Sequence, residues 1–190
     1  MMLTRYHLLG TLAAMLTLFF WGAVVHMGLH EAITAISVLD EANETQLVET
    51  LRTVTPEDGI YMGARGILLV VSSLDEDTDT FSGLSFHGTL ASQLVVCAVV
   101  GLMLSFIVLK IPGTSVLEKG KCLALIGLAA GIFISLPGWI WFGLGPRFTI
   151  VNIVDIVGGW FLAGLVLATL AKRTTAAAAT TEIPPVAEAE

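Results

Sequence analysis

Among the residues able to do chemistry, one carboxylate stands apart: Asp155 interrupts an apolar stretch that runs from Ile150 to Leu170. A charged carboxylate there costs a few kcal/mol to insert into lipid, so it must face protein or water and have a partner. Asn152, Asp155, Gly159 and Leu162 recur at helical spacing and share a face with it. The candidate partners are His26, at nearly the same depth, and Arg147, with His30 and Glu31 one turn further out and His87 near the outer mouth. Three chemistries are open to such a set. A His–Asp pair can relay protons, because the aspartate holds one imidazole tautomer. His26 with His87 could bind haem, or a quinone could sit beside His26 and Asp155. His26-x3-His30-Glu31 could hold a metal, although the ligand set is incomplete. The fourth reading is structural, a polar cluster of His26, Arg147, Asn152 and Asp155 joining two helices, and it is the one the pattern favours.

The elements that must position these residues are four apolar runs: Leu8–Met27, Leu90–Leu109, Cys122–Phe142 and Ile150–Leu170. At about 1.5 Å per helical residue each is long enough to cross a bilayer. The chain has 190 residues, 55% of them hydrophobic and 13% charged, with a mean hydropathy of +0.86. A soluble domain carries nearer 25% charge, and its surface helices are apolar on one face only. Here the runs are apolar all round, which makes lipid the solvent. The expected fold is therefore an all-α membrane protein, a four-helix bundle with a small α/β cap between helices 1 and 2. A signal peptide is the alternative for the first run. It is too long for that, and His26, Met27 and His30 stand where a cleavage site needs small residues.

Basic residues set the expected orientation. Arg5, Lys110, Lys119, Lys121, Lys172 and Arg173 fall on one side of the four runs, leaving Arg52, Arg65 and Arg147 on the other. The first side is expected to be cytoplasmic and to hold both termini. The segment from His30 to Thr89 carries eleven carboxylates and only two arginines, as an outer loop should. Residues 1–29 then form the first span, 30–89 the extracytoplasmic cap, 90–171 spans two to four, and 172–190 a disordered cytoplasmic tail rich in Ala, Thr, Pro and Glu. Within the cap, Leu47, Val48, Leu51 and Val54 mark a helix over Asn43–Val54 with Asn43 as N-cap. Ile60–Met62 and Ile67–Ser72 follow as a hairpin around Gly63-Ala64-Arg65-Gly66. The acidic turn Asp75–Asp79 lacks the spacing and closing Glu of an EF-hand.

Other classes fall away. The net charge of −7 and the lack of a basic patch argue against nucleic acid. Cys97 and Cys122 lie inside spans with no CxxC, which disfavours a thiol–disulfide enzyme. No repeated halves point to a transporter. Small residues recur four apart in every span, as Gly10/Ala14, Gly101/Ser105, Gly127/Gly131 and Gly159/Ala163. Such pairs let helices approach closely in lipid, within a bundle or against a neighbouring subunit or a second copy. Pro137 late in the third run predicts a kink there.

Three segments resemble a widespread group of uncharacterised small bacterial inner-membrane proteins. They are Phe20-Trp21-Gly22-Ala23 with His26-Met27; Pro56-Glu57-Asp58-Gly59-Ile60-Tyr61 before Ile67-Leu68-Leu69-Val70; and Trp139–Phe142, Phe148-Thr149 and Asp155 through Leu165. The likeness runs from Thr11 to Ala171 and implies a four-span protein with a long first outer loop. It places His26 and Asp155 inside recurring motifs and implies no catalytic roles. This chain has a shorter outer loop than the group. Together these readings point to a non-enzymatic accessory or scaffold subunit of a larger membrane complex, with no cofactor. A redox protein binding quinone or haem around His26 and Asp155 is the alternative.

Overall fold

The computed structural model describes residues 5–28, 40–55, 57, 59–62, 68–71, 86–113 and 115–181. Four long helices dominate it. The first, α1 (Arg5–Ala23), continues into a π-helical turn over Val24–Gly28. Two further helices, α3 (Phe86–Lys110) and α4 (Val116–Phe142), precede the last, α5 (Pro146–Thr181). Each is long and apolar enough to cross a membrane. Between the first two lie a shorter helix, α2 (Glu41–Val54), and two strands, β1 (Gly59–Met62) and β2 (Leu68–Val71).

The long helices alternate in direction, and α5 is the central one. It packs along α4 on one side and against α1 and α3 on the other, while α1 also packs along α3. Although consecutive, α3 and α4 barely touch. Small residues make the close approaches. A Cβ on Gly164 would stand 3.0 Å from the Gly120 Cα, and one on Gly101 would stand 3.1 Å from the Thr11 carbonyl oxygen. Gly127 and Gly131 meet Trp160, Ile156 and Ile153 of α5 in the same way. The four-apart pairs are thus spent on contacts within this chain, where shape rather than hydrophobic drive holds helices together in lipid.

The buried core lies toward the end of the bundle that holds the N-terminus. Tyr6, Ala14, Leu104, Val108, Leu123, Ala163, Leu167 and Ala171 form it. Ile140, Trp141, Ile150 and Val154 toward the other end, like Leu8, Leu9 and Leu12 at this one, stay exposed on the outer surface of the bundle.

Local chemistry explains the boundaries. Ser115 caps α4 by accepting the Glu118 amide, and Gly143 ends it at φ 70°, donating its N–H to the Trp139 carbonyl. Helix α4 runs through Pro137 to Phe142, so the proline does not end it. Two sequence expectations need correction. The short helix starts at Glu41, because Asp40 rather than Asn43 is its N-cap and accepts the Asn43 amide at 2.9 Å. The last helix does not stop at residue 171 but continues to Thr181, through the strong helix formers Ala176 to Ala179. The two strands pair antiparallel, Gly59 with Val71 through Met62 with Leu68. The expected turn Gly63–Gly66 and the acidic run Asp75–Asp79 lie outside the described residues.

Candidate functional site: two polar locks on the first helix

The Asp155 carboxylate is met by His26. Its Oδ2 accepts from His26 Nε2 at 3.1 Å, across from α5 to the π-turn of α1. The backbone carbonyl of the same residue accepts the indole N–H of Trp21 at 3.0 Å. Two side chains of α1 therefore converge on one residue of α5.

The π-turn favours this convergence. In an α-helix, residues five apart lie about 140° from one another around the axis, so Trp21 and His26 would face different ways. The π-turn, closing i→i+5 over Val24–Gly28, widens the helix there and narrows that angle. Trp21 is seated by two glycines: a Cβ on Gly158 would fall 2.5 Å from its Cζ2, and one on Gly159 would fall 3.0 Å from its Cδ1. Gly22, which on an ideal helix would share the His26 face, makes no close approach, since nothing lies within 4 Å of a Cβ placed there. Glycines on α5, not on α1, let the two helices meet.

The pair lies at the rim of the bundle. The His26 side chain is 55% exposed and that of Asp155 18%. Arg147 stands exposed two turns earlier on α5, on the order of 12 Å along the axis, with Asn152 half-buried between them. His87 is exposed in the first turn of α3, at the same end of the bundle. His30 and Glu31 lie outside the described residues. Among the described residues no group of three His, Cys, Asp or Glu side chains stands close enough together to hold a metal ion.

A second polar cluster, which the sequence reading missed, occupies the other end of α1. His7 is buried, 5% exposed. Its Nδ1 lies 3.1 Å from Ser105 Oγ on α3, and Ser105 gives its own single proton to the Leu102 carbonyl at 2.7 Å. Ser105 must then accept, so Nδ1 of His7 carries the proton. The imidazole packs on the Phe106 ring, centroids 3.9 Å apart, and edge-on to Tyr6 at 5.4 Å. Tyr6 in turn donates its hydroxyl to the Leu167 carbonyl of α5 at 3.2 Å. One turn along α1, Thr11 Oγ1 is buried with no hydrogen-bond partner. By contrast Thr17, Thr149 and Thr169 each donate to the carbonyl four residues back.

Chemically, both clusters do the same thing: they fix α1 to its neighbours through directional bonds, His7 and Tyr6 at one end, Trp21 and His26 at the other. A serine beside a histidine invites comparison with a nucleophile and its base. Here the serine proton points to a backbone carbonyl and the serine is fully buried, which is the arrangement of a packing bond. No protein-family model, curated protein or solved structure matches the chain.

Proposed function

We propose that this integral membrane protein is a non-enzymatic accessory or scaffold subunit of a larger complex in a bacterial inner membrane. Both termini are cytoplasmic, and α2 with the β1–β2 pair forms a cap on the outer face. The observation that carries this reading is how the polar groups of the spans are used. Asp155 with His26 and Trp21, His7 with Ser105, and Tyr6 with the Leu167 carbonyl bond across helices, as rigid supports do. Two surfaces remain for partners. Helix α4 packs chiefly along α5, leaving Leu125, Phe133, Ile140 and Trp141 exposed. Helix α2 keeps Leu47 and Val54 exposed on its apolar edge.

The test is purification of the tagged full chain from its native membranes in a mild detergent. A second membrane protein retained in fixed stoichiometry through two columns is the expected result. A chain recovered alone with a Soret band, or with a tightly retained quinone, overturns it in favour of a redox centre around His26, His87 and Asp155. Orientation is tested separately with a membrane-impermeant thiol reagent on intact cells, in a Cys-free background. Cysteine introduced at Glu49 should label and cysteine at Ala176 should not.

A further inference from the structure

We infer that the end of the bundle holding the N-terminus is a binding surface for anionic phospholipid headgroups, which clasp the four helices where the apolar spans stop. The up-and-down arrangement gathers there cations that are far apart in sequence: Arg5 at the start of α1, Lys110 at the end of α3, Lys119 and Lys121 at the start of α4, and Lys172 and Arg173 on α5 just beyond the buried Ala171. Among the described residues of that end, Glu118 is the single carboxylate. The acidic chain, at −7 overall, thus carries a strongly cationic end. Glu182, Glu188 and Glu190 follow α5 and lie outside the described residues.

The cations are held on rigid elements. Lys119 Nζ donates to the Val108 carbonyl at 3.1 Å, tying the start of α4 to the end of α3, and Lys121 pairs with Glu118 at 2.9 Å. Arg5, Lys110, Lys172 and Arg173 are exposed and make no ion pair among the described residues. Beside them lie exposed apolar side chains that acyl chains can cover, Leu8, Leu9 and Leu12 on α1, Leu109 on α3 and Leu117 on α4. A phosphodiester headgroup with two acyl chains matches both halves of this surface. A soluble anion matches only one.

The experiment uses the full chain in a mild neutral detergent, titrated with phosphatidylglycerol or with phosphatidylcholine while the thermal midpoint is followed. Phosphatidylglycerol should raise the midpoint at lower concentration than phosphatidylcholine, and 0.5 M salt should shrink the difference. The triple variant K110Q/K172Q/R173Q should need at least tenfold more phosphatidylglycerol for the same shift, given about fivefold per cation at an anionic surface. The phosphatidylcholine curve should not move, which also shows that the variant is folded. Glu118→Gln should act oppositely, lowering the phosphatidylglycerol requirement severalfold, a result that misfolding cannot imitate. Equal responses to the two lipids, or a triple variant indistinguishable from the parent, overturn the proposal. So does full reproduction of the shift by glycerol phosphate, which would mean a free-anion site.

Discussion

Replacing Trp21 by Ala should cost more than breaking the His26–Asp155 hydrogen bond beside it. The indole is the larger anchor: it is half-buried, seats against Gly158 and Gly159, and donates to the Asp155 carbonyl at 3.0 Å. Truncating a core Trp typically costs 3–5 kcal/mol. Partial exposure reduces that, and the lost hydrogen bond adds about 1 kcal/mol, so Trp21→Ala should destabilise by roughly 2–4 kcal/mol. The His26–Asp155 pair is measured by a cycle of His26→Ala, Asp155→Leu and the double variant. Buried bonds to charged groups reach about 1.5–3 kcal/mol, but exposed pairs give only about 0.2–1. Polar pairs inside membranes average about 0.6. With His26 more than half exposed, the coupling should be about 0.5–1 kcal/mol. The assay is reversible unfolding of the full chain in mixed micelles, followed by far-UV circular dichroism so that loss of an indole does not alter the probe. A coupling above about 2 kcal/mol, or a Trp21→Ala cost below about 1, would refute this ranking and make the His26–Asp155 contact the principal fastening.

Four further outcomes follow from the same contacts. Gly158→Ala should destabilise by about 1–3 kcal/mol, since its methyl must displace the Trp21 ring, whereas Gly22→Ala, with open space around it, should be neutral or stabilising in the same micelle assay. Ser105→Ala should cost about 1–3 kcal/mol by leaving the buried His7 N–H without an acceptor, and Ser105→Thr should fail to restore it if the added methyl clashes with α1. Thr11→Val should stabilise by about 1 kcal/mol because it removes a buried hydroxyl with no partner; a loss of stability instead would mean that a bound water or ligand uses that oxygen. The Asn43 amide and side chain hold the Asp40 carboxyl below its ordinary value of 3.8, so its capping contribution is complete above that value and disappears as pH falls through the lower folded one. The Asn43 amide proton shift should therefore titrate below pH 3.8 and stop doing so in Asp40→Asn.

Lipid-facing apolar runs are the most legible feature of a sequence, because a span must be apolar around its whole circumference and for its whole length. The four long helices accordingly lie where the runs are, and their small-residue pairs lie between them. What could not be read was geometry that departs from 3.6 residues per turn. On an ideal helix His26 belongs with Gly22, and the π-turn over Val24–Gly28 moves it to Trp21. No apolar pattern announces such a turn, since the residues on either side of His26 are apolar or small. The His7 cluster escaped for a different reason. A histidine two residues after Arg5 looks like a solvated flank of a run that starts at Leu8, and Ser105 looks like one more small residue four after Gly101. A sharper signal was present in the adjacent aromatics Tyr6 and Phe106, which together with His7 make a polar–aromatic layer rather than an interface flank.

The two clusters bear on each other through α1. This helix is fastened at both ends by directional bonds, to α3 and α5 near Tyr6 and His7 and to α5 near Trp21 and His26. Between them its contacts are close-packed small residues, Gly10 and Ala14 among them, which guide the approach of a neighbour but tolerate sliding along the helix axis. Hydrogen bonds at two points some 19 residues apart, on the order of 28 Å, remove that freedom and fix the register of α1 against the bundle. Fixing the register matters most at the His26–Asp155 end, since the main cluster of buried apolar side chains lies toward the other. A π-turn costs some backbone stability relative to an α-helical turn, yet here it brings a carbonyl and a carboxylate of one residue within reach of two side chains. The cross-helix polar bonds that α1 makes through Tyr6, His7, Trp21 and His26 thus act as register-setting contacts at its two ends.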